Sequence, residues 1–173
     1  MRTIGVLLVE DAPVWSSMLV RFLDNAQDME VLRAVATKED ALSFCRRQRV
    51  DVVLMDLNLT GHKLDGIEAI LELGLMGSAA KVIALTSFED EHAIMDAFTA
   101  GAIHYVLKSD YRRLPELIRS VCRSTTPQEV LVQEFRRLKE QEQYRSLTEA
   151  EKEIVDLYKQ GYSRRQMMSL LGK

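Results

Sequence analysis

Cysteine, histidine and tryptophan are scarce in this chain of 173 residues, which holds two, three and one of them. Cys45 and Cys122 both fall in amphipathic helical patterns. They are expected to be buried free thiols, which points to a reducing compartment, most simply the cytoplasm. His62, His92 and His104 share no ligand spacing, so nothing suggests a zinc centre of the usual nitrogen and sulfur donors. No apolar run approaches the ~20 residues that cross a bilayer. The opening MRTIGVLLVE is too short an apolar run, closed by acids, for a signal peptide, and no membrane partner is expected. Disorder is disfavoured as well, since the chain is 47% hydrophobic and 28% charged.

The net charge of −3 is unevenly spread. Residues 1–122 carry 13 Lys and Arg against 18 Asp and Glu, whereas residues 123–173 carry 10 against 8. An acidic domain followed by a mildly basic tail is compatible with a terminal nucleic-acid module.

Five β-branched apolar runs, Thr3 to Val9, Val31 to Ala36, Val50 to Met55, Lys81 to Leu85 and His104 to Leu107, mostly lack period-2 alternation. That pattern predicts strands buried on both faces of a parallel sheet. Amphipathic stretches follow each run: Pro13 to Asn25, Lys38 to Gln48, Leu64 to Leu73, Glu89 to Ala100 and Leu114 to Arg123. Alternating strand and helix predicts a doubly wound α/β domain, with ligands at the carboxyl ends of the strands.

Ser124 to Pro127 marks a boundary. Thr126-Pro127-Gln128-Glu129 predicts a capping box with proline at the first helical position. Leu131, Phe135 and Leu138 on the helix it opens are expected to pack within the molecule, a dimer coil being the alternative. Ser146-Leu147-Thr148 with Glu149 and Glu151 predicts a second helix ending at Gly161, and Ser163 caps a third running to Leu171. The expected division is a domain over 1–123, an all-α linker over 124–145 and a small helical piece over 146–173.

The carboxyl ends of those runs carry related chemistry. Glu10-Asp11 closes the first, Asp56 the third, Thr86 the fourth and Lys108 the fifth. In a parallel sheet all of them share one edge. Like charges ~4 Å apart repel by about 4 kcal/mol at an effective dielectric near 20, and a bound divalent cation relieves that repulsion. Oxygen donors alone suit Mg²⁺, and an added lysine and hydroxyl suit a phosphoryl group. Singly, each residue reads as an ordinary loop, surface or strand residue; the set carries the inference. Trp15, one turn beyond Asp11, reads as packing near the site.

The segment VVLMDLNLTGHKLDG around Asp56, with the acidic pair, Thr86-Ser87 and Lys108 in this order, resembles the receiver domain of two-component response regulators. The resemblance spans residues 1–122 and implies a flavodoxin-like fold with strand order 2-1-3-4-5. It implies that Asp56 accepts a phosphoryl group from a sensor histidine kinase or a small phosphodonor. Glu10, Asp11, Asp56 and the backbone carbonyl of Asn58 would hold Mg²⁺, while Lys108 and the Thr86 hydroxyl would each bind a phosphoryl oxygen. Thr86 and Tyr105 would form a switch pair, and Asn58 and Phe88 would tune dephosphorylation. The resemblance implies no enzyme activity beyond the domain assisting its own phosphorylation and dephosphorylation, and it is compatible with a homodimer formed on phosphorylation. This chain departs from the family pattern in three ways: Asp56 precedes Gly66 by ten residues rather than eight, Thr60 stands where proline is usual, and Ser109 replaces the proline that often follows the lysine. The loop Leu59 to Leu64 is therefore expected to be longer and less rigid.

The tail SLTEAEKEIVDLYKQGYSRRQMMSLLGK resembles the start of a NarL/LuxR-type helix-turn-helix, with its L-T-x-x-E opening and G-x-S turn. The resemblance implies transcription control by the full-length parent and makes Arg164 and Arg165 candidates for DNA phosphate contacts. The segment is expected to be incomplete, lacking the recognition helix that reads bases, so this chain is not expected to bind DNA specifically. One alternative is a receiver acting through protein contacts alone. A remoter one is a haloacid-dehalogenase-type phosphatase, which Asp56-Leu57-Asn58-Leu59-Thr60 resembles. There Asn58 replaces the second aspartate, and the motif normally follows the first strand.

Overall fold

The computed structural model describes residues 2–59, 65–87 and 90–170, the side chains of Arg164 and Arg165 excepted. It divides into two compact units between Gln133 and Glu134. The first is built on strands β1 (Ile4–Val9), β2 (Met29–Val35), β3 (Val52–Asp56), β4 (Lys81–Thr86) and β5 (His104–Leu107). All pair in parallel in the order β2-β1-β3-β4-β5, as the resemblance implies. Helices α1 (Pro13–Asp24), α2 (Lys38–Arg47), α3 (Asp65–Leu75), α4 (Glu91–Ala100) and α5 (Leu114–Arg123) make the crossovers and close the layer.

Local chemistry sets the helix ends. Pro13 opens α1 where a missing N–H is harmless. The Thr37 side chain accepts from Asp40 N ahead of α2, and Asp90 accepts from the first amides of α4. Gly101, at φ 134°, stops α4 in a conformation that other residues rarely adopt.

The strands feed two cores by turns. Leu7, Val9, Val53 and Met55 face Ala41, Leu42, Ile70, Leu73 and Ala97 on one side. Val6, Leu8, Leu54 and Ile83 face Leu19, Leu23, Leu114, Ile118 and Val121 on the other. Burying one such leucine or valine contributes about 1.5–3 kcal/mol, so these layers hold the strand ends in place.

Burial on both faces holds for β1, β3 and β4 but not for β2, where Glu30, Arg33 and Ala34 are exposed. The strand order makes β2 an edge with a lighter cover. The thiol expectation also needs correcting. Both cysteines are free, but Cys45 is half-buried and Cys122 exposed, because Ile118 and Val121 occupy the inward stripe of α5.

Helix α6 (Pro127–Ser146) begins in the first unit and continues into the second. Thr126 Oγ1 accepts from Glu129 N at 3.2 Å. The Glu129 carboxylate does not close the expected capping box: both its oxygens accept from Lys81 Nζ, at 2.8 and 3.1 Å. Of the apolar stripe of α6, Leu131 and Leu138 do not pack inward as expected, being 69% and 52% exposed, whereas Phe135 is half-buried. In the second unit, α7 (Glu149–Lys159) opens with a complete Thr148–Glu151 capping box. Gly161, at φ 88°, turns the chain toward α8 (Arg164–Leu170), and Ser163 with Gln166 caps that helix reciprocally. Tyr144 Oη donates to Asp156 across α6 and α7 at 2.8 Å.

Candidate functional site

The sheet carries its acids and its lysine to one edge. Beyond β1, Glu10 N donates to Val35 O, prolonging the ladder by one residue and fixing the Glu10 backbone. Beyond β3, Leu57 N donates to Leu85 O in the same way. Lys108 follows β5 directly and opens a 3₁₀ turn over Lys108–Arg113 that the sequence pattern did not indicate.

Glu10, Asp56 and Lys108 are only 2%, 3% and 7% exposed. Lys108 Nζ lies 2.6 Å from Glu10 Oε2 and 2.8 Å from Asp56 Oδ2, bridging the two carboxylates. Glu10 Oε1 accepts from Ala12 N at 3.1 Å, and Asp56 Oδ1 accepts from Asn58 N at 3.0 Å. Asp11 is the most accessible of the three acids. One oxygen from each of Glu10, Asp11 and Asp56 lies within 4.8 Å of the others, the one such metal-sized acidic group among the described residues.

Burial pushes the Glu10 carboxyl up and the Asp56 charge adds to the rise, only partly offset by the hydrogen bond from Lys108. Burial works against the Lys108 ammonium, but hydrogen bonds to Asp56 and Glu10 outweigh it and raise its pKa. Two buried carboxylates with one cation between them are short of positive charge, which favours binding a further cation.

Thr86, 4% exposed, ends β4 beside Leu107, while Tyr105 sits opposite Ala84 in the β4–β5 register. The Tyr105 hydroxyl is buried. Its side chain lines a cleft of about 340 Å³ with Phe98, Ile103, Leu131 and Val132. Phe88 and residues 60–64 of the long loop lie outside the described residues, as do the side chains of Arg164 and Arg165. Leu59, the first residue of that loop, is fully buried in the core.

Two neighbours of the site were not assigned to it by sequence reasoning. A Cβ on Gly66 would lie 2.1 Å from the Asp56 carbonyl oxygen, so α3 abuts the Asp56 backbone there. The Trp15 ring centroid lies 5.9 Å from Lys108 Nζ. The D-G pair at Asp65-Gly66 was a usable signal for the first, whereas nothing in the sequence aims Trp15 at Lys108.

A five-stranded 2-1-3-4-5 sheet with an acidic cluster and a lysine along its carboxyl edge defines the receiver class. Residues 6–119 match the response regulator receiver domain family, and the chain belongs to it. It is a two-component response regulator, and the phosphatase alternative falls. The chain is 32% identical over 171 residues to the response regulator protein VraR of Staphylococcus aureus, covering 96% of this chain and 81% of that protein. A two-component response regulator of the LuxR family from Aurantimonas sp. SI85-9A1 superposes with a TM-score of 0.64 at 28% identity, over 79% of this chain and 99% of that one. The response regulator ChrA of a heme-sensing two-component system gives a TM-score of 0.55 at 26% identity, over 99% and 82%. No helix among the described residues is long and apolar enough to cross a membrane.

Proposed function

We propose that Asp56 accepts a phosphoryl group from a sensor histidine kinase or a small phosphodonor, and that the resulting state governs transcription through the C-terminal helices. The observation that carries this reading is the buried Lys108 bridge between Glu10 and Asp56. In the transfer, an Asp56 carboxylate oxygen bonds to phosphorus while the bond from phosphorus to the donor's nitrogen or oxygen breaks, its electron pair leaving with the donor. Charge then moves outward from the carboxylate to the phosphoryl oxygens. Lys108 is placed to follow it, and the Thr86 hydroxyl is assigned a second oxygen. Phosphoryl transfer needs positioning and charge stabilisation more than covalent help from the protein.

The donor set fits Mg²⁺, a hard cation that takes carboxylate and carbonyl oxygens. Glu10, Asp11, Asp56 and the Asn58 carbonyl would hold it, and when bound it would screen the phosphoryl charge. Thr86 and Tyr105 are assigned to the switch, a hydroxyl drawn toward the phosphoryl group and a ring that answers on the neighbouring strand. Asn58 and Phe88 are assigned to the lifetime of the adduct, Phe88 offering no polar group to orient water.

The layout proposed is a receiver over 1–123, a linker over 124–145 and a helix-turn-helix segment from 146. Supporting the last are the capped α7 and α8 pair and the LuxR-family relative. Arg164 and Arg165 are assigned to DNA phosphates, and the protein is assigned to the cytoplasm with its kinase.

Acetyl phosphate with Mg²⁺ should add one acid-labile phosphoryl group by intact mass spectrometry, and Asp56→Asn should remove it. An adduct that persists on that variant would falsify the assignment.

A further inference from the structure

We infer that Trp15 is a positioning residue for phosphoryl acceptance, holding the Lys108 ammonium in the site through the face of its ring. This rests on the reading of Asp56 as phosphoacceptor. Lys108 Nζ is 5.9 Å from the Trp15 centroid, within the ~6 Å over which a cation is drawn to an aromatic face. The same ring meets Tyr111 edge-on, centroids 6.1 Å apart, and Tyr111 meets Phe22 edge-on at 5.0 Å. Tyr111 lies on the 3₁₀ turn that Lys108 opens, and Trp15 and Phe22 both lie on α1. The aromatic chain therefore fixes the turn to α1 at two points, and Trp15 also faces the charge at the turn's start.

The chemistry explains why an aromatic face suits this position. An ammonium has three donors, and here Asp56 and Glu10 occupy two directions. When Asp56 becomes an acyl phosphate, the partner of Lys108 changes from a carboxylate oxygen to a phosphoryl oxygen further out. A third hydrogen-bond acceptor beside the ammonium would compete for the donor that must be released. A ring face attracts the charge without consuming a donor and tolerates rotation of the head group. It thus confines Lys108 while leaving it free to change oxygens. On α1, directly after the acids, Trp15 also shields that side of the ammonium from water, which strengthens every charge interaction within the site.

The test compares Trp15→Phe with Trp15→Leu in the full chain. Both fill the space with apolar atoms, but only phenylalanine keeps an aromatic face. With acetyl phosphate and Mg²⁺, the rate of Asp56 phosphorylation should fall roughly tenfold in the leucine variant and by much less in the phenylalanine variant. The two should share the same urea midpoint. Equal rates in the two variants overturn the proposal, because packing alone would then account for Trp15. No phosphorylation of the unmodified chain would instead overturn the reading of Asp56. Trp15 is the single tryptophan, so its emission reads the contact without altering the ring. Lys108→Met should shift the emission maximum, and an unchanged spectrum in the folded variant also overturns the proposal.

Discussion

The backbone of Asp56 and the α-carbon of Gly66 are in direct contact. A Cβ at position 66 would stand 2.1 Å from the Asp56 carbonyl oxygen and 2.6 Å from Leu57 Cα. Alanine favours a helix over glycine by about 1 kcal/mol, but here the obstacle is backbone, which cannot swing aside. Gly66→Ala should therefore be destabilising, by about 1–3 kcal/mol, and should slow phosphorylation by displacing the Asp56 backbone. Urea denaturation and intact mass spectrometry check the two effects. A more stable Gly66→Ala variant would contradict this packing.

Mg²⁺ should stabilise the protein through the acidic cluster. Ligand present at 100 times its dissociation constant adds about 2.7 kcal/mol to a folded state that alone binds it. The melting temperature should rise with added Mg²⁺, and Asp11→Asn should remove most of the rise. An undiminished rise in that variant would place the cation elsewhere.

Glu129 ties the start of α6 to the lower end of β4. Its side chain is 4% exposed and lies 2.8 Å from Lys81 Nζ, which also donates to Val121 O. Because Lys81 is 32% exposed, its stranded charge reaches water in part, and Glu129→Ala should cost about 1–3 kcal/mol rather than the full buried-pair penalty. Amides of residues 127–133 should lose hydrogen-exchange protection while those of β1 and β3 keep theirs. Uniform loss across the sheet would show that the pair supports the whole domain instead.

Asp28 and Arg119 join the start of β2 to α5, with Nε to Oδ2 at 2.6 Å. The Arg119 hydrogen bond holds the Asp28 carboxyl below its ordinary 3.8, more than offsetting a small desolvation in the other direction. A depressed carboxyl contributes stability that is present above the unfolded-state pKa and is lost as pH falls through the folded-state value. In Arg119→Met the stability lost between pH 5 and acid should therefore be smaller than in the unmodified chain. Urea midpoints across that range measure it, and a steeper acid loss in the variant would refute the linkage.

The linear chain by itself determined the number and order of the strands and α-helices, though not the 3₁₀ turn after β5. Apolar runs closed by Glu10-Asp11, Asp56, Thr86 and Lys108 already imply a shared edge, because every strand of a parallel sheet presents the same end to the same side. Pro13 and Gly161 marked their helix boundaries because caps and turns act over three or four residues. The partner of each side chain was decided only by the tertiary structure. Glu129 has the spacing of a capping-box acid but is held by Lys81, 48 positions away. Leu131 and Leu138 have the spacing of a core stripe but face solvent. The open face of β2 follows from its place at the sheet edge, and the reach of Trp15 to Lys108 follows from how α1 meets the 3₁₀ turn after β5. Periodicity in a sequence tells which side of an element is apolar. What that side meets depends on strand order and on packing between residues far apart in the chain, and no local pattern encodes either.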